Sequence, residues 1–496
     1  MNKLTAAARN RLPRYSHFRH ILTTLTLYLG LVAGQNVFAQ TFTTLHPFDF
    51  NEGENTFGLV RISNLLYGNL EYGSAGNVGA IYSVSTNGVS YTNWYSFSAP
   101  DSSTSTNRDG SYPEAGLIAN GSMLYGTATA GGSGNAGTVF AVKAGTTNLI
   151  VLHHFTSLNP VTYVNNDGAT PTGPLVLADN LLYGSTTYGG LSGYGVIFQI
   201  ETNGSNFRVL HNFSGGTNSA NPYGTLVLAG NRLYGTTAYG GSWGYGTVFA
   251  VLTNGFGFTN LYSFSGGNDG SHPFAGLVRV GDTLYGTTFY GGSNSLGAVF
   301  ALGTNGANFH VLHSFGNLSY DPGTGNYIFD DGYQPRTELT VVGGELCGTA
   351  ESGGSGNSGT IFELSTNGSN FTVLHNFTAT ESGSFTNADG ATPFGPLLLA
   401  GNTLYGTTDG GGVNGDGTVF SLTLGTSEAL RLNILSAGTN VLLTWPVADS
   451  GFTLQFTTNL PPAGWSNVIS SPVVVNGLNV ITDRMVGKWK FYRLSR

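Results

Sequence analysis

Two kinds of side chain recur in this sequence at spacings that could bind a ligand: aromatic rings near Gly-Gly pairs, and aspartates that precede a glycine. The aromatic residues are Tyr188, Tyr194, Tyr239, Trp243, Tyr245 and Tyr290. The aspartates of the DG turns are Asp109, Asp167, Asp269, Asp331 and Asp389. Flat rings beside acceptor oxygens suit neutral polyhydroxylated ligands such as glycans. The structural alternative is that the DG pairs only form turns and the tyrosines only pack on loop glycines.

Histidines also recur at one position of the sequence pattern, where they could suggest a ring of metal ligands. They are His46, His153, His211, His313 and His375. Tyr95 and Tyr262 occupy the same position in two other copies, and a tyrosine cannot simply replace an imidazole ligand. The pattern therefore favours structural, hydrogen-bonding histidines, and no metal site is predicted. Cys347, the single cysteine, is predicted to be a buried apolar residue.

Motifs for catalysis and for cofactors are scarce. The sequence contains no G-x-S-x-G, no H-E-x-x-H and no P-loop, so no catalytic residue is assigned. Paired carboxylates could still serve a glycosidase, which leaves the enzyme question open. Calcium is the one cofactor considered, because Asp330, Asp331 and residues 165–167 supply oxygen atoms. No Asp-x-Asp-x-Asp spacing accompanies them, so the calcium signal is weak.

These residues belong to a sequence motif that recurs along the chain, for example LYGTTAYGGSWGYGTVFAV at 233–251. The central tyrosine recurs in seven units, with cysteine replacing it once, at Tyr67, Tyr125, Tyr183, Tyr234, Tyr285, Cys347 and Tyr405. Each unit holds four strand-like runs, for example 174–178, 181–187, 195–200 and 207–213. The last unit lacks the fourth run, whereas an extra copy, FTTLHPF (42–48), precedes the first unit.

This complementarity of the chain ends predicts an all-β fold, a seven-bladed β-propeller whose last sheet is completed by the N-terminal run. An open β-solenoid is the alternative, but it would need atypical capping repeats at its ends. Successive antiparallel strands place the Gly-Gly loops and the DG-x-x-P loops on one face. That face carries the long loops, whereas the opposite face has only short turns, so ligand binding is predicted on the first face.

The order of landmarks in each unit, LYGTT-x-x-GG, G-x-G-T-V-F, TNG, F-T-V-L-H-x-F and DG-x-x-P, resembles the GloVer tandem repeat of exported bacterial proteins. The Gly-Gly pair also resembles kelch propellers. The resemblance covers roughly residues 41–424. It implies export and a repeat propeller, and it brings no established chemistry.

The N-terminus and the charge distribution bear on location and partners. Residues 1–39 read as a signal peptide, since five basic residues precede the apolar run 21–34 and a small-residue cleavage pattern ends at Ala39. We therefore expect a secreted or cell-surface protein. After removal of the signal peptide, it is expected to be a monomer without a transmembrane segment. Residues 40–429 hold seven basic and 24 acidic residues, a charge of −17, so no nucleic-acid partner is predicted.

The predicted domains are therefore the signal peptide (1–39), the propeller (40–429) and a C-terminal module (430–496). The C-terminal module resembles a small fibronectin type III-like β-sandwich, with Trp445 closing an early strand. Its six basic and two acidic residues give a charge of +4. It could dock to an acidic partner or envelope polymer, or it could be a spacer.

Three functions remain open from the sequence. The first is a non-catalytic binding protein that recognises extracellular glycan, or another envelope polymer, through the loop face. The second is a glycan-active hydrolase or lyase that uses carboxylates on that face. The third is a structural component of the cell envelope.

Overall fold

The structure, a computed structural model, describes residues 40–74, 76–321 and 326–425 and several short segments of the C-terminal region. Those segments are 432–437, 440–446, 453–458, 465–468, 472–475, 478–484 and 490–495. The predicted signal peptide lies outside the described residues. The chain separates into a compact unit, Gln40–Leu424, and a second unit that contains Gly425–Arg496.

Each sequence repeat folds into one antiparallel sheet, here called a blade, whose strands are named A to D in chain order. β-Branched and aromatic residues fill these strands and a tight turn joins A to B, as the alternation in the sequence requires. In blade 3, Val176 pairs with Tyr183, Leu182 with Ile200, and Phe198 with Val209. Strands B and C are almost wholly buried, whereas strand D forms the outer edge.

Six blades are continuous in the chain. Their strands A to D are, for blade 1, Thr56–Ile62, Leu65–Leu70, Ala80–Ser85 and Tyr91–Ser96; for blade 2, Ile118–Asn120, Met123–Ala128, Thr138–Lys143 and Leu149–His154; for blade 3, Val176–Ala178, Leu181–Thr186, Val196–Glu201 and Arg208–Asn212; for blade 4, Val227–Ala229, Arg232–Thr237, Thr247–Leu252 and Thr259–Ser263; for blade 5, Val278–Val280, Thr283–Thr288, Ala298–Gly303 and His310–Ser314; and for blade 6, Thr340–Val342, Glu345–Ala350, Thr360–Ser365 and Thr372–Asn376.

Blade 7 is built from both ends of the propeller unit. Its strands A to C are Leu398–Ala400, Thr403–Gly410 and Thr418–Thr423, and the short strand Ala391–Pro393 also pairs with strand B. Strand D is the N-terminal strand Thr41–Pro47, in which Phe42 pairs with Leu422 and His46 with Val419. The predicted completion of the last sheet by the N-terminal run is confirmed.

Hydrophobic clusters between consecutive blades hold the ring together. Phe198 of blade 3, for example, is buried in one cluster with Val139 and Phe155 of blade 2. The same packing joins the last blade to the first, where Tyr405 lies in one cluster with Leu66 and Tyr82. Counted over the described residues, seven sheets close into a ring, and the fold is an all-β, seven-bladed propeller.

The loop connections follow the predicted division into two faces. Strands D and A are joined by long loops, which include the hairpin of Leu318–Asp321 and Asn326–Phe329 and the single-turn 3₁₀ helix Gly216–Asn218. Strands A and B, and C and D, are joined by short turns on the opposite face. Among the residues described, no helix is long and apolar enough to cross a membrane.

The C-terminal unit contains two small antiparallel sheets. One has the strand order Asn433–Ala437, Asn440–Pro446, Leu478–Arg484 and Val473–Val475, and the other has the order Ser466–Asn467, Thr453–Thr457 and Phe491–Ser495. Leu443 and Trp445 from the first sheet and Leu454 from the second are buried in one cluster, which makes the unit a small β-sandwich. The fibronectin type III resemblance stays a prediction.

Candidate ligand site at the channel mouth

A cavity of about 280 Å³ runs along the propeller axis and is lined by residues of all seven blades. The lining comes mainly from the segment that leads into strand A, where the chain passes from the long loops to the centre of the ring. The side chains that face the axis therefore occupy equivalent positions of the repeat. Any difference between blades at those positions changes the chemistry of the cavity.

One such position directly follows the proline of DG-x-x-P in the units that have it. Its residues in blades 1 to 7 are Phe57, Glu114, Thr172, Tyr223, Phe274, Arg336 and Phe394, all of them cavity-lining. A second position directly follows the sixth residue of strand B. Its residues in the same order are Glu71, Thr129, Thr187, Ala238, Phe289, Glu351 and Asp409.

Carboxyl groups cluster on one side of the opening of this cavity, which we call the channel mouth. Glu351, Asp409, Glu71 and Glu114 come from blades 6, 7, 1 and 2, which are consecutive in the closed ring. The charge of Glu71 acts on both Glu114 and Asp409, and the charge of Glu351 acts on Asp409. We call these four residues the acidic arc.

Burial raises the pKa of three carboxyl groups in the acidic arc. It raises the pKa of Glu114 to about 7, with a further contribution from the Glu71 charge and an opposing hydrogen bond from the Thr129 hydroxyl at 3.2 Å. Burial also raises the pKa of Asp409 to about 7, and the neighbouring carboxylates add to the effect. The pKa of Glu351 is raised by burial as well, and its Oε2 is buried with no hydrogen-bond partner among the described residues. Near neutral pH, this side of the mouth therefore holds carboxyl groups in both protonation states.

Arg336 is the one cation that lines this cavity among the described residues, and its charge lowers the pKa of Glu114, Glu351 and Asp409. Its guanidinium carbon lies 4.6 Å from the centre of the Phe394 ring and 5.4 Å from that of Phe274. These distances are those of cation–π contacts. Arg336 is thus held between rings rather than presented alone to a ligand.

Deeper in the cavity, Glu338 of blade 6 reaches past blade 5 to blade 4. Its Oε1 accepts a hydrogen bond from the backbone N–H of Thr225 at 3.2 Å. Gly276 of blade 5 makes room for this contact, because a Cβ at that position would lie 2.4 Å from the same oxygen. Burial raises the pKa of Glu338.

Aromatic rings border the opposite side of the mouth, in blades 3, 4 and 5. Tyr223 and Phe274 line the cavity, with ring centres 5.3 Å apart. Burial and a hydrogen bond to Tyr188 raise the pKa of Tyr223. Next to them, the ring of His272 lies 5.2 Å from that of Tyr239 and 5.7 Å from that of Tyr290. We call Tyr188, Tyr223, Tyr239, Phe274 and Tyr290 the aromatic arc.

The six aromatic residues predicted from the sequence are all exposed, with 41–67% of their surface accessible. Three of them, Tyr188, Tyr239 and Tyr290, belong to the aromatic arc. Tyr194 and Tyr245 lie farther along their loops, where their rings cover Gly215 and Gly266. Trp243 is the most exposed of the six, at 67%. Their role in ligand binding stays a prediction.

Four of the five predicted aspartates are buried, and all five accept a hydrogen bond from the strand that precedes their loop. Their partner is the histidine or tyrosine of the preceding strand D, in the pairs Tyr95–Asp109, His153–Asp167, Tyr262–Asp269, His313–Asp331 and His375–Asp389, at 2.5–3.0 Å. Backbone N–H groups such as that of Thr156 donate to the same carboxylates. Each pair therefore ties a long loop to the edge of its blade, and contact with a ligand stays a prediction for these residues.

The acidic arc and Arg336 were not predicted as site residues. A signal was present in the sequence, because aligned repeats show carboxylates in blades 6, 7 and 1 at a position where blades 2 to 5 have Thr, Thr, Ala and Phe. The sequence alone does not show that this position faces the axis. Within the described residues, no group of three or more His, Cys, Asp or Glu side chains is arranged to hold a metal ion.

The family model described as the Gloeobacter/Verrucomicrobia repeat matches residues 158–329, which include all strands of blades 3 to 5. This match confirms the repeat resemblance over that stretch; the kelch resemblance stays a prediction. No curated protein matches the chain.

Among solved structures, the chain is similar to oligogalacturonate lyase in complex with manganese, at 12% identity over 79% of this chain and 95% of the other, with a TM-score of 0.48. It is similar to the extracellular domain of a B. thetaiotaomicron protein, at 10% identity over 90% of this chain and 48% of the other, with a TM-score of 0.45. TolB from Acinetobacter baumannii is similar at 13% identity over 72% and 69%, with a TM-score of 0.34. The propeller assignment above rests on the strand pairing of this chain.

Proposed function

We propose that this chain is an exported binding protein that takes up an extracellular, uncharged glycan at the mouth of its axial channel. The observation that carries the proposal is the division of the mouth into an aromatic arc and an acidic arc. Exposed tyrosine rings offer flat faces for sugar rings, and carboxyl groups accept or donate hydrogen bonds to hydroxyl groups.

Charge narrows the class of glycan. The acidic arc faces an arginine that three phenyl rings surround, since Phe289 lies 5.8 Å from the guanidinium in addition to Phe394 and Phe274. A polyanionic glycan would meet unpaired carboxylates and would find no free cation in this lining. We therefore propose a neutral polysaccharide as the ligand.

A thermal-shift screen of the purified protein against neutral, anionic and cationic polysaccharides tests the proposal. A ligand at a hundred times its Kd stabilises the folded state by about 2.7 kcal/mol. We expect a shift with a neutral glycan that is lost in Tyr239→Ala and Tyr290→Ala. The control is Phe256→Ala, because Phe256 is an aromatic residue on the short-turn face that is even more exposed than the two tyrosines. A shift that survives both tyrosine substitutions, or that appears only with polyanions, would contradict the proposal.

A glycan-active hydrolase or lyase is the second candidate, and the pKa values of Glu114 and Asp409 favour it. A carboxyl group with a pKa near 7 is suited to act as a general acid at neutral pH. If this candidate is right, the glycan that shifts the melting temperature should also be cleaved, and Glu114→Gln should abolish cleavage while it retains binding. Binding without cleavage of any stabilising glycan would leave the binding protein as the function.

A further inference from the structure

The junctions between blades share one aromatic contact. In six of them, the strand-D histidine or tyrosine of one blade stacks on an aromatic ring near the start of strand D in the next blade. The pairs are His46–Tyr91, His153–Phe207, His211–Phe258, Tyr262–Phe309, His313–Phe371 and His375–Phe42, with ring centres 3.8–4.2 Å apart and planes within 9° of parallel.

The junction between blades 1 and 2 departs from this rule. Tyr95 occupies the strand-D position of blade 1, but the residue that should stack on it in blade 2 is Leu149. A cavity of about 430 Å³ lies at this junction, lined by Tyr95, Leu149 and Val151 together with Arg108, Asp109, Thr147 and Asn148. The cavity therefore coincides with the place where the repeat pattern is missing a ring.

The tyrosine that lines this cavity is held in a fixed orientation. Its hydroxyl donates a hydrogen bond to Asp109 Oδ2 at 2.5 Å, and Asp109 also accepts one from the backbone N–H of Ser98 at 3.0 Å. Since the carboxylate is already engaged, Asp109 serves to orient Tyr95. A ligand can therefore stack on the face of the Tyr95 ring without a further loss of side-chain entropy for Tyr95.

A cation lies at the rim of the same cavity. Arg108 is exposed, and its Nε donates a long hydrogen bond of 3.3 Å to the Ser98 hydroxyl. A guanidinium presents several donors in one plane and pairs well with a carboxylate. The cavity thus combines a flat aromatic wall, aliphatic side walls, one cation and the Asp109 carboxylate, whose oxygens already accept hydrogen bonds from Tyr95 and Ser98.

We propose that this junction is a binding site for a small planar aromatic acid, whose ring occupies the position that a phenyl ring occupies at the other junctions. The ring stacks on Tyr95 and lies against Leu149 and Val151, and its carboxylate pairs with Arg108. This site is distinct from the channel mouth, because it lies at the outer edge of the propeller, between D strands.

Ligand-observed NMR with benzoate, followed by crystals soaked in benzoate, tests the proposal. We expect benzoate to bind, with cyclohexanecarboxylate and benzyl alcohol each binding at least ~10-fold more weakly, since the first lacks a planar ring and the second lacks the charge. Leu149→Phe should abolish binding and raise the melting temperature, because the chain then supplies its own ring. Equal binding of all three probes would overturn the proposal, and so would a Leu149→Phe variant that unfolds more easily than the wild type.

The junction between blades 4 and 5 provides a matched control. There Tyr262 pairs with Asp269 as Tyr95 pairs with Asp109, but Phe309 is present and Asn268 takes the place of Arg108. Phe309→Leu should open an equivalent cavity that binds benzyl alcohol as well as it binds benzoate. Arg108→Gln should remove the preference for benzoate at the natural site without loss of benzyl alcohol binding. Benzoate that remains bound as tightly in Arg108→Gln would refute the role of the cation.

Discussion

Glu114 at the channel mouth makes the stability of the propeller depend on pH. Burial raises its pKa from the ordinary 4.5 to about 7, which means that folding disfavours the ionised form. Stability from this group is fully present below about pH 4.5 and is lost as the pH rises toward 7. Such a shift corresponds to about 3 kcal/mol of folding free energy at pH 8.

Glu114→Gln keeps the size and hydrogen-bonding capacity of the side chain but cannot ionise. We therefore expect the variant to match the wild type at pH 4 and to be more stable by up to about 3 kcal/mol at pH 8. Urea unfolding monitored by intrinsic fluorescence at both pH values measures the difference.

The control for this experiment is Asp282→Asn, since the Asp282 side chain is 95% exposed and forms only a 3.4 Å pair with Arg279. Its effect should be the same small value at both pH values, as is typical of surface pairs. If Glu114→Gln changed the free energy of unfolding by equal amounts at pH 4 and pH 8, Glu114 would be solvated rather than buried, and the argument for an acidic, partly protonated mouth would fail.

Three further predictions concern buried positions of the propeller. His211 lacks the carboxylate that pairs with the other strand-D histidines, and its Nε2 is buried without a hydrogen-bond partner among the described residues. Burial lowers the pKa of His211 to about 4, so stability should be lost as the pH falls from 6.5 toward 4. His211→Tyr, which introduces the residue found at this position as Tyr262, should remove that loss, on the order of 1 kcal/mol after solvent screening, in urea unfolding at pH 4 and 7. Gly276→Ala places a Cβ 2.4 Å from Glu338 Oε1 and should lower the free energy of unfolding by about 1–3 kcal/mol, whereas an unchanged value would show that Glu338 is free to move. Burial raises the pKa of the Cys347 thiol to about 12, so iodoacetamide should label it only in urea, and rapid labelling of the native protein would disprove its burial.

Much of the fold could be predicted from local pattern. The repeat period, the turn residues and the alternation of β-branched and aromatic residues indicate seven four-stranded sheets. In the described residues of the propeller, the structure has six four-stranded sheets and a seventh sheet with one additional short strand. The surplus copy at the N-terminus, with the missing run in the last unit, was enough to predict the pairing of Thr41–Pro47 with Thr418–Thr423. The histidine position was interpreted as a structural, hydrogen-bonding one, and His153, His313 and His375 each form a hydrogen bond with an aspartate of their own blade.

The candidate site was predicted only in part. The exposed tyrosines could be assigned to the long-loop face by counting strands, because successive antiparallel strands place their connecting loops on alternate faces. Their contact with a ligand stays a prediction. The five aspartates were proposed as ligand contacts from their position in the long loops, and the structure shows that they are engaged by strand-D side chains such as Tyr95 and His153. That engagement depends on how the loop folds back over its own sheet, which the DG motif does not specify.

The sequence by itself determined the architecture of this protein, because a repeat that forms one sheet must bury both faces of that sheet against identical neighbours, and complementary ends close the ring. Only the tertiary structure decided which repeat positions face the axis, and therefore that Glu71, Glu114 and Asp409 lie together although they are far apart in the chain. It also decided that the substitution of leucine for an aromatic residue at position 149 leaves a cavity. Both features arise from contacts between blades. The periodicity of a strand carries no information about which side chains of different blades meet in the closed propeller.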